Sequence, residues 1–392
     1  MKTLKRTWAD ISLDDLEYNY HSIRSRLPSG TRYLGVMKAD AYGHGAVPVS
    51  RALADLGAEY LAVSNLEEAV QLRRGEIRLP ILILGYTPPE YAENMIYLDI
   101  TQEVHSLEYA KELDASLAGT NYILNVHLKL DTGMTRIGFF AYDNERTLDE
   151  LKQVAALPHL RIEGVFMHFC VADSTAGEDV AFTRLQFQRF TDMLSAMEGV
   201  GIRPEIRHCC NSGATILYPE FALDMVRPGI ITYGNAPSDE LEGALSLRPM
   251  MSLHSMIAQV RTVPAGTDIS YGRLYRTKEE TRVAVLPIGY ADGLSRLLTG
   301  KASFYLQGHQ VPVIGRICMD MCMIDVSGVP EAKPGDVVTI FGYDDDGTLL
   351  PCERLARAQG TINYELLCQI SKRIPRICHR GAETSQILQY IV

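Results

Sequence analysis

In Val36-Met37-Lys38-Ala39-Asp40-Ala41-Tyr42-Gly43-His44-Gly45 a lysine stands where an apolar run gives way to glycine. The run before it, residues 33–37, is apolar and aromatic and reads as a strand, and residues 47–56 carry a helical pattern. Lys38 is therefore expected at the carboxyl end of a strand. An amine entering from an apolar run is partly desolvated, which disfavours its charged form and makes it a candidate nucleophile or base. The ordinary alternative is a lysine snorkelling at the rim of a barrel.

Working outward, strand-like runs occur at residues 33–37, 60–63, 80–84, 96–100, 122–130, 161–168, 205–210 and 222–226. Helix-like segments at 65–74, 106–117, 144–157 and 182–198 separate many of them. Eight near-continuous apolar strands alternating with helices predict a parallel (β/α)8 TIM-type barrel, whose chemistry gathers at the carboxyl ends of its strands. Beyond Tyr233 a turn-rich linker leads to runs at 253–263, 282–288, 302–306, 311–317, 321–326 and 337–341 with no long helices between them. Short helices at 353–358 and 364–371 precede a last strand at 374–378. The expected organisation is α/β: an N-terminal barrel over 1–240 and a C-terminal mostly-β domain over 241–392, with residues 1–10 candidates to pair with the latter.

The composition narrows the function. A chain of 392 residues with 46% hydrophobic and 22% charged residues suits two globular domains. The net charge of −10, without basic blocks, argues against a nucleic-acid surface, so an anionic ligand would have to be held locally. No signal-peptide core or membrane-length apolar run is read. The eight cysteines lack C-x-x-C pairs and zinc-site spacing. A cytoplasmic protein with reduced thiols and no metal is expected.

If the strands are placed correctly, residues distant in sequence share one rim. Lys38 and Tyr42 follow the first strand, Arg136 the fifth, His168 the sixth, Asn211 and Ser212 the seventh, and Arg227, Gly229 and Ile230 the eighth. Loops after strands seven and eight of such barrels often hold phosphate through backbone N–H groups. Singly each residue has an everyday reading: His168 as a hydrogen-bonded strand end, Asn211-Ser212-Gly213 as a turn, Arg227 as a surface ion pair. A lysine, a phosphate loop and an arginine on one rim together match the needs of pyridoxal 5′-phosphate, which takes an amine, a phosphate anchor and a partner for its ring nitrogen.

These residues resemble the alanine racemase family of fold-type III pyridoxal-phosphate enzymes. The resemblance runs from Trp8-Ala9-Asp10 to Arg373-Ile374-Pro375-Arg376, and the stretch at 36–45 is like the family's cofactor-lysine motif. Lys129-Leu-Asp-Thr-Gly-Met-Thr-Arg136, Ser270-Tyr271-Gly272, Gly289-Tyr290-Ala291-Asp292-Gly293, Gly315 to Asp320 and Thr361 to Glu365 look like further family motifs.

The resemblance implies a homodimer with shared sites that interconverts L- and D-alanine, supplying D-alanine for peptidoglycan. Lys38 would carry the cofactor and act as one base; Tyr271 of a second copy would act as the other. Tyr42, His168, Asn211, Ser212, Arg227, Gly229, Ile230 and Tyr364 would bind the cofactor. Arg136 and Met319 would meet the substrate, and Tyr290 and Tyr364 would narrow the entrance. Lys129 matches a lysine that many members carbamylate; a plain ion pair is its alternative. An arginine, which only donates, beside the ring nitrogen favours proton exchange over decarboxylation or aldol chemistry. Leu294, where many relatives have a large aromatic, and Ile230-Ile231-Thr232 depart from the pattern. A serine or broad-specificity racemase and a non-catalytic cofactor carrier are the alternative functions.

Overall fold

The computed structural model describes residues 6–391, so the segment 1–5 lies outside the described residues. They form two compact units, which part between Arg248 and Pro249, eight residues beyond the 240/241 division drawn from the sequence (248 − 240). Residues up to Asp15 and the segment Tyr42–Pro48 count with the C-terminal unit.

After β1 (Thr7–Ser12), the barrel unit contains β2 (Arg32–Val36), β3 (Tyr60–Val63), β4 (Ile81–Ile83), β5 (Ile100–Val104), β6 (Leu124–Asp131), the short edge strand β7 (Phe139–Phe140), β8 (Leu160–Phe166), β9 (Ile206–His208) and β10 (Met225–Val226). The parallel order β5-β4-β3-β2-β10-β9-β8-β6 closes through the pairing of β5 with β6, so eight strands make a closed barrel. Every residue of β3, β4 and β5 is buried, as strands covered on both faces require. Helices such as Leu66–Arg74, Leu107–Ser116 and Gly177–Gly199 supply the crossovers. Side-chain caps start two of them: Asn65 accepts from the Glu68 N–H, and Ser106 from the Tyr109 N–H.

One strand differs from the sequence reading. Residues 96–100 were expected to be a strand, but Ala92–Tyr97 is helical and the strand is Ile100–Val104. The reason is compositional: Thr101, Gln102 and Glu103 are polar yet buried, so a search for apolar runs stops short of them.

Among the described residues of the second unit, 11 strands make one sheet and two more make a small ribbon. β1 lies inside the large sheet, antiparallel to Met251–Met256 and parallel to Arg376–Arg380. The run expected at 253–263 is divided into Met251–Met256 and Gln259–Val263, and a hairpin strand, Glu383–Leu388, follows the last one read from sequence. Arg376 is buried here, with its guanidinium spent on the carbonyls of Gly43, Ile370, Ser371 and Ile374.

Candidate active site

Lys38 follows β2, whose end is held by Met37 N–H donating to the Ala62 carbonyl at 2.7 Å and by Tyr233 Oη donating to the Val36 carbonyl at 2.6 Å. Past it the backbone turns left-handed. Ala39, Asp40, Ala41 and Tyr42 have φ of 52°, 55°, 55° and 53°, a run of non-glycine residues in the region L-residues avoid at a cost of about 1–2 kcal/mol each. The turn is closed by Ala41 N–H to the Met37 carbonyl at 2.8 Å, and Glu68 accepts from the Ala39 N–H.

Arg136 stands on the loop after β6. Asp131 Oδ1 shapes that loop by accepting from Gly133 N–H at 2.9 Å and Thr135 N–H at 3.0 Å. Gly138 is needed where a Cβ would meet the Lys129 carbonyl and Asp131 nitrogen at 2.8 Å. Lys129, on β6, is buried, with Nζ donating to the Leu130 carbonyl at 2.9 Å. Burial first, and the neighbouring charge of Arg227 next, lower its amine to about 7. Asp131 and Glu103 pull the other way.

Arg227, immediately after β10, is also buried. It donates to His208 Nδ1 at 2.9 Å, to the Met167 and Cys209 carbonyls at 2.8 and 3.1 Å, and to His168 Nδ1 at 3.4 Å. Desolvation brings even this guanidinium down to about 10. The everyday alternative for Arg227, a surface ion pair, is therefore excluded. His168 is pushed well below its ordinary value by desolvation and then by the positive charges of Arg227, Arg136, Lys129 and Lys38.

The loops after β9 and β10 meet each other: Gly229 N–H donates to Ser212 Oγ at 2.9 Å. Asn211 caps the short helix Ser212–Leu217 by accepting from Ala214 N–H at 3.0 Å, and its amide donates to the Phe169 carbonyl at 3.2 Å. Ile230, buried, begins the next helical turn.

The remaining sequence-derived residues lie in the second unit. Tyr42 is buried and Tyr364 half-buried, with ring centroids 5.9 Å apart. Tyr271, Met319 and Tyr290 are 68%, 53% and 42% exposed. They share one scaffold: Tyr290 and Ala291 donate to the carbonyls of Cys318 and Met319, and Ser270 Oγ donates to the Arg316 carbonyl at 2.6 Å. Ser270 and Gly272, with φ of 65° and 75°, flank Tyr271 and turn it outward.

Sequence reasoning missed His127, His208 and Glu163. His127 and Lys129 stand two apart on β6 and so share a face, a period-two signal that was available.

A closed parallel barrel with a lysine at a strand end and a buried arginine after its last strand, followed in the chain by a mostly-β unit, is the architecture of a barrel enzyme. Residues 11–237 match the alanine racemase N-terminal domain and residues 250–378 the alanine racemase C-terminal domain. The alanine racemase of Desulfovibrio desulfuricans is 47% identical over 370 residues, covering 94% of this chain and 97% of the relative. That of Clostridium tetani is 43% identical over 392 residues, the whole of both chains. The solved alanine racemase of Clostridium difficile 630 superposes with a TM-score of 0.94 at 40% identity over all of both chains. A Bacillus anthracis alanine racemase structure with bound L-Ala-P gives 0.92 at 35% identity, covering 100% of this chain and 99% of that one. The chain belongs to the alanine racemase family and is an amino-acid racemase.

Proposed function

We propose that this racemase interconverts L- and D-alanine with pyridoxal 5′-phosphate held at the barrel rim and with two proton-transferring groups, Lys38 and Tyr271 of a second copy. The observation that carries the reading is the buried Arg227 guanidinium, bonded to His208 Nδ1 and His168 Nδ1 two residues before Gly229, whose N–H meets Ser212 Oγ. Arg227 is a buried cation whose charge is disfavoured by desolvation, and a nearby anion relieves that cost. The cofactor's phosphate and phenolic oxygens supply negative charge, and its ring nitrogen accepts a hydrogen bond, so the donor set fits it.

When bound, the cofactor draws electrons from the substrate Cα and lowers the cost of removing its proton. The protein's residues do the rest. Ser212, Gly229 and Ile230, with Asn211, Tyr42 and Tyr364, hold the phosphate end. Arg227 would hold the cofactor's ring nitrogen and, being donor-only, would leave it unprotonated. Arg136 and the Met319 backbone orient the substrate carboxylate, while Tyr290 and Tyr364 narrow the approach. Lys38 Nζ takes or returns a proton on one face of Cα, and Tyr271 Oη does so on the other.

The exposure of Tyr271 and Met319 on one scaffold supports a homodimer whose copies complete each other's sites. Among the described residues no helix is long and apolar enough to cross a membrane, which accords with a cytoplasmic role supplying D-alanine for peptidoglycan. The test is incubation of the purified protein and cofactor with single L-amino acids, followed by chiral chromatography. D-Alanine should form fastest. A faster yield of D-serine, or no D-product at all, overturns the reading.

A further inference from the structure

Barrel interiors are ordinarily filled by layers of branched apolar side chains. A polar column crosses this one. From Arg227 Nη1 it passes to His208 Nδ1 at 2.9 Å, from His208 Nε2 to His127 Nδ1 at 2.9 Å, and from His127 Nε2 to Glu163 Oε2 at 3.3 Å. That carboxylate oxygen also accepts from Tyr60 Oη at 3.0 Å and Thr101 Oγ1 at 3.2 Å. Arg227 follows the carboxyl end of β10, whereas Tyr60 and Thr101 open β3 and β5, so the column runs from the active-site rim towards the opposite end. His127 and His208 are fully buried, and the Glu163 side chain keeps 18% of its surface.

The donors allow one proton assignment. A guanidinium only donates, so His208 Nδ1 accepts and its proton sits on Nε2. That N–H meets His127 Nδ1, which must accept, leaving the His127 proton on Nε2 to face the carboxylate. Reversing either tautomer sets N–H against N–H. Burial lowers both imidazoles and the His127 hydrogen bond lowers Glu163, consistent with neutral rings and an ionised carboxylate.

The backbone makes room for the column. A Cβ at Gly164 would fall 2.5 Å from His127 Cε1, and the β6–β8 register shifts between Val126 and His127. Phe166 stacks on His208, with centroids 4.9 Å apart and planes 9° from parallel. A partly satisfied buried network is costly, whereas a complete one is rigid and fixes geometry.

We propose that Glu163 and His127 are positioning residues that act through His208 on Arg227, completing with a charged acceptor the chain of donors that the guanidinium starts and so fixing the guanidinium that faces the ligand. The inference rests on the reading of Arg227 as the partner of the cofactor's ring nitrogen. The carboxylate draws the donors of the column towards itself and makes His208 Nδ1 a stronger acceptor. Arg227 is then held by its Nη1 edge and offers its ligand a weakened, well-aimed donor.

The test combines 15N histidine NMR of the purified holoenzyme with kinetics of Glu163→Gln, which keeps the shape and removes the charge. In the unaltered protein His127 and His208, assigned through His127→Gln and His208→Asn, should show neutral Nε2–H tautomers. In Glu163→Gln the donors running from Arg227 still set the Nε2–H tautomers, so the 15N shifts of His127 and His208 should move without a change of tautomer, and the cofactor's absorption spectrum should shift. kcat should fall roughly 10–100-fold with KM for alanine nearly unchanged, by analogy with the loss seen when the partner behind a metal-bound histidine is removed, and Glu163→Asp should recover part of it. An Nδ1–H or doubly protonated His208 in the unaltered protein overturns the proposal, and that measurement needs no variant to fold. So does a Glu163→Gln enzyme that melts lower but keeps its histidine 15N shifts, spectrum and kcat. If the racemase reading itself fails, no D-alanine forms from the unaltered enzyme, whatever the tautomers.

Discussion

Glu68 Oε1 accepts the backbone N–H of Ala39 at 2.7 Å, while Oε2 accepts that of Ser64 at the same distance. One carboxylate thus ties the left-handed turn beside Lys38 to the loop after β3. Ala39 is exposed and has φ 52°, so glycine there relieves strain without emptying a packed site. Ala39→Gly should raise stability by about 1 kcal/mol, the reverse of its effect in an ordinary helix. Urea unfolding measures it. Glu68→Ala should cost about 1–2 kcal/mol, because two charge-assisted bonds at a partly exposed site are lost.

Lys38→Ala should release cofactor on dialysis and lose borohydride labelling while remaining folded. Labelling equal to that of the unaltered protein would place the linkage elsewhere.

An amine brought down to about 7 is substantially unprotonated at neutral pH, so Lys129 can add CO2 as a carbamate that gives Arg136 an anionic neighbour. A carbamyl signal from 13C-bicarbonate should appear in the unaltered protein, vanish in Lys129→Ala and fade as pH falls below 7, where the amine takes up its proton. A signal indifferent to Lys129→Ala would leave the plain ion pair as its role.

Lys38→Ala and Tyr271→Phe subunits, each inactive, should regain activity when mixed and exchanged, since a heterodimer holds one site with both groups intact. Exchanged, folded, cofactor-bound heterodimers that stay inactive would rule out shared sites.

Acid should destabilise the fold early. His127 and His208 are buried with pKa values below the ordinary 6.5, so the unfolded chain binds more protons than the folded one as pH drops through 6.5. Their contribution is present above 6.5 and lost below it, at about 1.4 kcal/mol per pH unit per group. Glu163, also lowered, adds in the same direction below the ordinary carboxylate range. Urea midpoints from pH 7 to 5 should fall accordingly; a flat profile would mean that the rings are not held neutral.

The barrel was legible because β2, β3, β4 and β6 are apolar enough to stand out, and the rim followed from asking what stands after each strand. β5 was misplaced because its Thr-Gln-Glu core is buried against polar partners. The column from Arg227 to Glu163 was illegible for a related reason. Its members are scattered over β3, β5, β6, β8 and β9, and only closure of the barrel brings His127, His208 and Glu163 into line. The left-handed turn at Ala39 to Tyr42 was hidden too, since no residue there but the following glycine advertises positive φ.

β1 has a consequence for synthesis. It is made first among the described strands, yet its partners are Met251–Met256 and Arg376–Arg380. At ribosomal rates of about 5–20 residues per second, the parallel partner emerges on the order of 20–70 seconds after Ser12. Until Met251–Met256 is made the opening strand has neither partner and Trp8, Ala9 and Ile11 are uncovered, and by then the whole barrel sequence has been translated. Folding of the nascent chain therefore runs out of translation order in the β unit, and the N-terminal strand is the segment most in need of protection by chaperones or by speed.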